Sequence, residues 1–136
     1  MRRILVIDDD KDVRAMISIV LRVNRFEVVE AASASAGLQA FAESSFDVAI
    51  VDIFLQGANG FDVIAAMRER VPDLPVIAMS GIATLCLVSR SAETANVACL
   101  QKPFRPNQLF GAIATAGELV GRRAASAAEM ADGIAV

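Results

Sequence analysis

Six polar residues capable of phosphoryl and metal chemistry lie just after short apolar runs of the sequence. They are, in chain order, Asp8, Asp9, Asp10, Asp52, Ser80 and Lys102. Crowded carboxylates raise one another's pKa, and a divalent cation relieves that repulsion. Oxygen ligands of this kind suit Mg²⁺. An aspartate beside such an ion can act as a nucleophile toward phosphorus, with an ammonium group and a hydroxyl stabilising the transition-state charge.

Each of these signals also has an ordinary structural interpretation. An aspartate after a strand is often a helix cap or a solvated loop residue, and any one of Asp8, Asp9, Asp10 and Asp12 could have that role. Ser80-Gly81 alone indicates a turn, and Lys102-Pro103 alone indicates a loop. The joint placement of these residues after four different apolar runs is the stronger observation.

Five apolar runs predict strands that alternate with helices. The strands are expected at Ile4–Ile7, Glu27–Ala31, Val48–Val51, Val76–Met79 and Val97–Leu100. Several are apolar at consecutive positions, which is typical of strands covered on both faces. Ser33 is expected to cap the second helix, and Pro106 to open the fifth. The pattern predicts an α/β fold, a doubly wound parallel sheet with five helices. Ligands bind at the carboxyl ends of such strands, so the polar residues should converge there.

Composition excludes several functions. The 136 residues suit one domain, with 55% hydrophobic and 21% charged residues. A net charge of −3 argues against direct nucleic-acid binding. The sequence has no His, which removes Ser-His nucleophile pairs and imidazole metal sites. Cys86 and Cys99 have no paired-ligand spacing, so neither zinc nor a disulfide is predicted. The first apolar run stops at Asp8, so we expect no signal peptide, no membrane insertion and a cytoplasmic location.

Four ordered segments carry a resemblance to a known family. They are Arg3 to Asp10, Val51 to Leu55 with Gly60 following, Ala78 to Gly81, and Lys102 to Phe104. With them the sequence resembles the receiver domain of response regulators in two-component signalling, over about residues 3–121. The resemblance implies a flavodoxin-like fold with strand order 2-1-3-4-5. The Ala-rich tail at 122–136 is expected to be either a helical extension or disordered.

The resemblance also implies a role for each site residue. Asp52 would accept a phosphoryl group from a histidine kinase or a histidine phosphotransfer protein. Asp9 and Asp52 would ligate Mg²⁺, with Asp8 acting mainly through water and the main-chain carbonyl of Phe54 completing the set. Ser80 would be the switch hydroxyl, and Lys102 would pair with the phosphoryl oxygen. Asp10 would extend the acidic cluster, but its main expected role is to start the first helix. The Lys102-Pro103 peptide is typically cis in the family.

The sequence departs from the family pattern at positions near this site. Cys99 stands where the family usually has Tyr or Phe, so we expect the usual coupling of hydroxyl and aromatic ring to be weakened or replaced. Gln56 stands where Pro is common, and Asn96 replaces part of a Gly-Ala pair. Phe54 and Ile82 flank the expected path of attacking water, so we hypothesise slow autodephosphorylation. The alternative is that Phe54 simply packs under its loop.

The expected output is protein contact. One surface would be helix one with the loop after strand five, at Val13, Met16, Pro103 and Phe104. A second would be the face of helix four, strand five and helix five, a possible homodimer face. Helix four is notably apolar at Ile82 and residues 85–88.

The residues and the resemblance leave four functions open. The favoured one is a single-domain regulator or phosphorelay shuttle, not an enzyme beyond its own phosphorylation and slow dephosphorylation. The alternatives are a receiver cut from a longer regulator, a non-phosphorylated interaction module, and a hydrolase of the haloacid dehalogenase type. The hydrolase needs a second Asp two residues after the first, and this chain has Phe54 there.

Overall fold

The computed structural model of the chain describes residues 2–81 and 96–135, with side chains described up to Gly121. The strands are β1 Arg3–Ile7, β2 Glu27–Ala31, β3 Val48–Asp52, β4 Phe54–Leu55, β5 Ala58–Asn59, β6 Val76–Ser80 and β7 Ala98–Gln101. The helices are α1 Lys11–Val23, α2 Ala34–Glu43, α3 Gly60–Arg70 and α4 Pro106–Ala135. The five predicted strands are therefore confirmed, each within one residue at either end.

The main sheet has the strand order β2-β1-β3-β6-β7, and every pairing in it is parallel. This is the expected order 2-1-3-4-5 once the short antiparallel pair of β4 and β5 is set aside. That hairpin was not predicted. The predicted helix between β6 and β7, with its apolar residues, lies outside the described residues.

Two hydrophobic clusters cover the two faces of the sheet. Alternate residues of β1 illustrate this, since Ile4 and Val6 enter one cluster while Leu5 and Ile7 enter the other. The first cluster includes residues of α1 and α4, and the second includes residues of α2 and α3. Burying each such side chain contributes about 1.5–3 kcal/mol. Burial on both faces explains why the strands are apolar at consecutive positions.

The helix termini follow the sequence closely. Asp10 is the N-cap of α1, and its carboxylate accepts hydrogen bonds from the main-chain N–H groups of Asp12 and Val13. Ser33 caps α2 in the same way, through the N–H of Ala36. The prediction that Asp10 starts the first helix is confirmed. Asp8 and Asp9 are thereby left at the end of β1, outside the helix.

The last helix continues past the residues that pack on the sheet. Leu109, Ala112, Ile113 and Ala116 are buried in the first cluster, and the helical backbone runs on to Ala135. The tail from residue 122 is thus helical in this structure, while the domain boundary expected near residue 121 stays a prediction. In the described ranges, none of the helices combines the length and apolar character needed to span a bilayer.

Candidate functional site

Lys102 joins the carboxyl ends of β1 and β3. Its Nζ lies 2.8 Å from Oδ2 of Asp8 and 3.0 Å from Oδ2 of Asp52. Both carboxylates are buried, and the lysine side chain is 22% exposed. The ammonium group enters the cluster from the loop that follows β7. The sequence predicted that Lys102 would reach this edge, but it did not predict the contact with Asp8.

A third carboxylate completes an acidic cluster. One oxygen from each of Asp8, Asp9 and Asp52 lies within 4.8 Å of the other two. Asp8 and Asp52 are buried, whereas Asp9 is exposed. Three hard oxygen donors with one side open to water suit Mg²⁺, which retains several of its waters when protein-bound. The residues therefore fit the expected ion, and the Phe54 carbonyl as a further ligand stays a prediction.

Main-chain N–H groups orient all three carboxylates. Asp8 Oδ1 accepts from the N–H of Asp10 at 2.9 Å, and Asp52 Oδ1 accepts from the N–H of Phe54 at 2.9 Å. Asp9 Oδ2 accepts from the N–H of Gln56, also at 2.9 Å. A carboxylate has about four lone-pair sites, so each still has acceptor capacity for a cation.

Burial and charge shift two pKa values in this cluster. Burial raises the pKa of Asp8 above 3.8, and the hydrogen bonds from Lys102 and Asp10 offset only part of that rise. Burial also lowers the pKa of Lys102, but its hydrogen bonds to Asp8 and Asp52 outweigh this, so the pKa lies above 10.5. The stabilisation by Lys102 is thus complete below pH 10.5 and is lost as pH rises through the raised pKa.

The raised pKa of Asp8 makes stability change in the same direction with pH. Because folded Asp8 holds its proton more tightly than the unfolded chain does, its contribution to the free energy of unfolding falls as pH rises from 3.8 through the raised pKa. Burial of the Asp8 carboxylate therefore opposes folding at neutral pH. A site that binds a cation is expected to carry such a cost, since the cation relieves it.

Arg14 was missed by the sequence analysis. Its Nη1 donates to the main-chain carbonyl of Asp8 at 2.7 Å, and its Nε lies 3.6 Å from Glu30 on β2. It thus ties the end of β1 to α1 and β2. The one sequence feature that could have indicated these contacts is the position of Arg14 on the face of α1 that packs towards β2.

Gly60 allows the chain to pass close to the acceptor strand. Its N–H donates to the carbonyl of Ile53 at 2.8 Å. A Cβ at this position would collide with the carbonyl oxygen of Asp52 and would lie 2.6 Å from the Cα of Ile53. The start of α3 therefore packs directly on the backbone of the predicted acceptor, which explains the glycine after the Asp52 motif.

Ser80 is the last residue of β6 and is 2% exposed. Its main-chain carbonyl accepts from the N–H of Lys102 at 2.8 Å, so the two residues are held side by side. The Lys102-Pro103 peptide is cis, as the resemblance implied. Asn96 has a φ of 57°, the left-handed conformation that asparagine tolerates.

The structure gives different results for Phe54, Ile82 and Cys99, the residues expected to modify the chemistry of the site. Phe54 is 54% exposed, so the alternative that it packs under its loop is wrong. Ile82 lies outside the described residues. Cys99 is exposed on β7 and is disulfide-bonded, so the prediction that no disulfide forms is wrong. Residue spacing alone does not decide whether the geometry of a disulfide can be reached. Cys99 therefore does not present the free thiol expected at that position.

The residues expected to contact a partner differ in exposure. Met16 and Pro103 are exposed, while Val13 and Phe104 are partly buried against the first cluster. Helix α1 also exposes Ile19 and Val23, which the sequence analysis did not name. The side chains of Met16, Ile19 and Val23 are three and four residues apart, so they share one face of the helix.

Residues 4–114 match the family model of the response regulator receiver domain. The chain belongs to this family. An NtrX-like response regulator of Rickettsia bellii is 30% identical over 108 residues, which is 78% of this chain and 23% of that protein. The DNA-binding response regulator MtrA of Mycolicibacterium smegmatis is 30% identical over 112 residues, 82% of this chain and 49% of that protein. The chain thus spans half or less of these curated relatives.

This chain spans nearly the whole of some solved receiver structures. A CheY-like receiver domain protein of Methanospirillum hungatei has a TM-score of 0.79 at 26% identity, covering 90% of this chain and 98% of that one. The chemotaxis protein CheY4 of Vibrio cholerae has a TM-score of 0.76 at 26% identity, covering 82% and 94%. Both the flavodoxin-like fold and the family interpretation of the sequence are therefore confirmed.

Proposed function

We propose that this receiver domain takes a phosphoryl group onto Asp52 from a phosphohistidine donor and signals by protein contact. The observation that carries the proposal is the placement of Asp52. Its carboxylate accepts a hydrogen bond from the Lys102 ammonium and is grouped with two further carboxylates, Asp8 and Asp9, at the carboxyl edge of a parallel sheet. A nucleophile that contacts a fixed cation and belongs to a cation-binding cluster suits phosphoryl transfer.

The transfer is a substitution at phosphorus. A carboxylate oxygen of Asp52 forms a P–O bond while the P–N bond to the donor imidazole breaks, and the departing nitrogen keeps the electron pair. Lys102 offsets negative charge on the phosphoryl oxygens, and the Ser80 hydroxyl is the nearby candidate for binding one of them. Mg²⁺, when bound by Asp8, Asp9 and Asp52, supplies further neutralisation of that charge.

Acetyl phosphate and Mg²⁺ offer a direct test. We expect the intact mass to show one phosphoryl adduct that is stable in acid and labile in base, and peptide mapping to locate it on Asp52. The Asp52→Asn variant removes the nucleophilic oxygen charge and should show no such adduct. An adduct of equal yield in Asp52→Asn, or rapid turnover of unrelated phosphate esters, would contradict the proposal.

Slow loss of the phosphoryl group is part of the proposal. Phe54 lies two residues beyond Asp52, is more than half exposed and has no polar group that orients water. An asparagine there supplies a donor and an acceptor, so Phe54→Asn should lose its phosphoryl group about 3- to 10-fold faster. The decay of adduct after removal of acetyl phosphate measures this.

The control for that measurement is Phe54→Leu, which shortens the apolar side chain without adding a polar group. Its decay should stay within about twofold of that of the unsubstituted protein. Equal decay in all three proteins would show that this position does not control access of water.

The partner contacts are also proposals. The exposed apolar residues Met16 and Pro103, with partly buried Val13 and Phe104, are the surface proposed to bind a histidine kinase or phosphotransfer protein that must bring its histidine to Asp52. The homodimer face stays a prediction, because the predicted helix central to that face lies outside the described residues. The cytoplasmic location also stays a prediction.

A receiver within a longer regulator is the second candidate. The observation that favours it is coverage, since this chain spans 23% of the NtrX-like relative and 49% of MtrA, which is named as DNA-binding. A phosphorylation-dependent gain of DNA binding by the protein purified from its native source would support it. The isolated chain, with its net charge of −3, is not expected to bind DNA.

A further inference from the structure

The β4–β5 hairpin reaches across to the end of β1. Its two-residue turn consists of Gln56 and Gly57, and the main-chain N–H of Gln56 donates to Oδ2 of Asp9 at 2.9 Å. The bond joins residues that are 47 positions apart in the chain. It therefore links the segment after the acceptor strand to the outermost carboxylate of the acidic cluster.

Asp9 needs such a contact more than its two neighbours do. Asp8 and Asp52 are buried and each is bound by Lys102, whereas Asp9 is exposed. Among the described residues, the Gln56 N–H is the one hydrogen-bond donor to the Asp9 carboxylate. An untethered exposed side chain samples several rotamers, and each immobilised side chain opposes binding by lost entropy.

We propose that the main-chain N–H of Gln56 is a positioning group that holds Asp9 ready for the cation. The inference rests on the proposed function, because it concerns the Mg²⁺ site. Gln56 is a position at which this chain departs from its family. The proline that is common there has no N–H and could not donate this hydrogen bond. The bond uses one lone pair of Oδ2 and leaves Oδ1 available to the ion.

The geometry of the turn allows a substitution that removes this hydrogen bond and little else. Gly57 has a φ of 72°, and Gln56 is not among the residues with positive φ. A positive φ confined to the third position is the pattern of a type II turn, in which proline is favoured at the second position. Gln56→Pro should therefore keep the hairpin and delete the N–H, while Gln56→Ala deletes the side chain and keeps the N–H.

Calorimetric titration with Mg²⁺ tests the inference. We expect the dissociation constant of Gln56→Pro to rise roughly 2- to 10-fold, the effect of leaving one side chain unordered. Gln56→Ala should stay within about 1.5-fold of the unsubstituted protein, because its hydrogen bond is intact. Equal affinities in Gln56→Pro and Gln56→Ala would overturn the inference while leaving the proposed function in place. Absence of Mg²⁺ binding by the unsubstituted protein would overturn both.

Amide hydrogen exchange gives a second test that does not depend on the proline variant. The Gln56 amide should exchange slowly in the unsubstituted protein without Mg²⁺, and faster by at least about fivefold in Asp9→Ala. The neighbouring Gly57 amide is the internal reference. Unchanged exchange at Gln56 would show that the bond does not form in solution and would overturn the inference.

Discussion

Replacing Lys102 with methionine should lower the free energy of unfolding by about 2 to 4 kcal/mol when no divalent cation is present. Methionine keeps most of the length and apolar volume of the lysine side chain but removes its charge. Asp8 and Asp52 would then remain close together, with side chains that are 0% and 8% exposed. Removing one partner of a buried ion pair is costly because the remaining charges lose their compensation.

Urea unfolding with and without Mg²⁺ measures this effect. Lys11→Met is the matched control, because Lys11 is the other lysine of the chain and is exposed at the start of α1. It should change the free energy of unfolding by less than about 0.5 kcal/mol. Mg²⁺ should stabilise Lys102→Met more than it stabilises the unsubstituted protein, since the ion takes over the missing positive charge.

The same variant should respond differently to pH. Lys102 lowers the pKa of Asp8, so its removal raises that pKa further above 3.8. Folded Asp8 then binds its proton still more tightly, and the variant should lose more stability than the unsubstituted protein as pH rises from 4 to 7. Equal stability of the two proteins without Mg²⁺ across this range would contradict the electrostatic role given to Lys102.

Phosphorylation by acetyl phosphate should also slow in Lys102→Met, by about 10-fold. Removing one dedicated transition-state donor typically costs more than this. The smaller loss is expected because Lys102 already bonds the Asp52 carboxylate before the reaction, so part of its interaction energy is the same in the ground and transition states.

The sheet was predictable because local sequence decides most of it. Runs such as Val48–Val51 are apolar on both faces, which indicates a buried parallel strand. The N-caps at Asp10 and Ser33 were also predictable, because a short polar side chain just before a helical pattern can accept hydrogen bonds from the free N–H groups of the first turn. Because the strands are parallel, the topology alone places Asp8, Asp52 and Lys102 at the same edge of the sheet.

What could not be predicted depends on main-chain atoms and on distant contacts. Each of Asp8, Asp9 and Asp52 accepts a hydrogen bond from a backbone N–H group, and such groups carry no side-chain signal. The β4–β5 hairpin has two-residue strands, too short for any periodic pattern. The contacts of Arg14 with Asp8 and Glu30 depend on how α1 packs against β1 and β2, and the disulfide at Cys99 carries no local sequence signal.

Gly60→Ala should destabilise the protein by about 3 kcal/mol and displace the acceptor. The added Cβ meets main-chain atoms of Asp52 and Ile53, which cannot rotate away as a flexible side chain can. Either α3 or the end of β3 must shift, and overpacking of this kind costs about 1–3 kcal/mol or somewhat more. The shift moves the carboxylate that Lys102 and the N–H of Phe54 hold, so phosphorylation should slow together with the loss of stability.

The control for Gly60→Ala is Gly111→Ala, on the exposed side of α4. A Cβ at Gly111 meets no atom within 4 Å, and alanine is the better helix former. This variant should therefore gain about 0.5–1 kcal/mol and phosphorylate at the normal rate. Urea unfolding and the acetyl phosphate assay, run on both variants, separate the steric effect from the general loss of a glycine. The packing of α3 on the acceptor strand places a Cβ at position 60 only 2.6 Å from the Ile53 Cα. If Gly60→Ala matched Gly111→Ala in both measurements, this close packing would be contradicted.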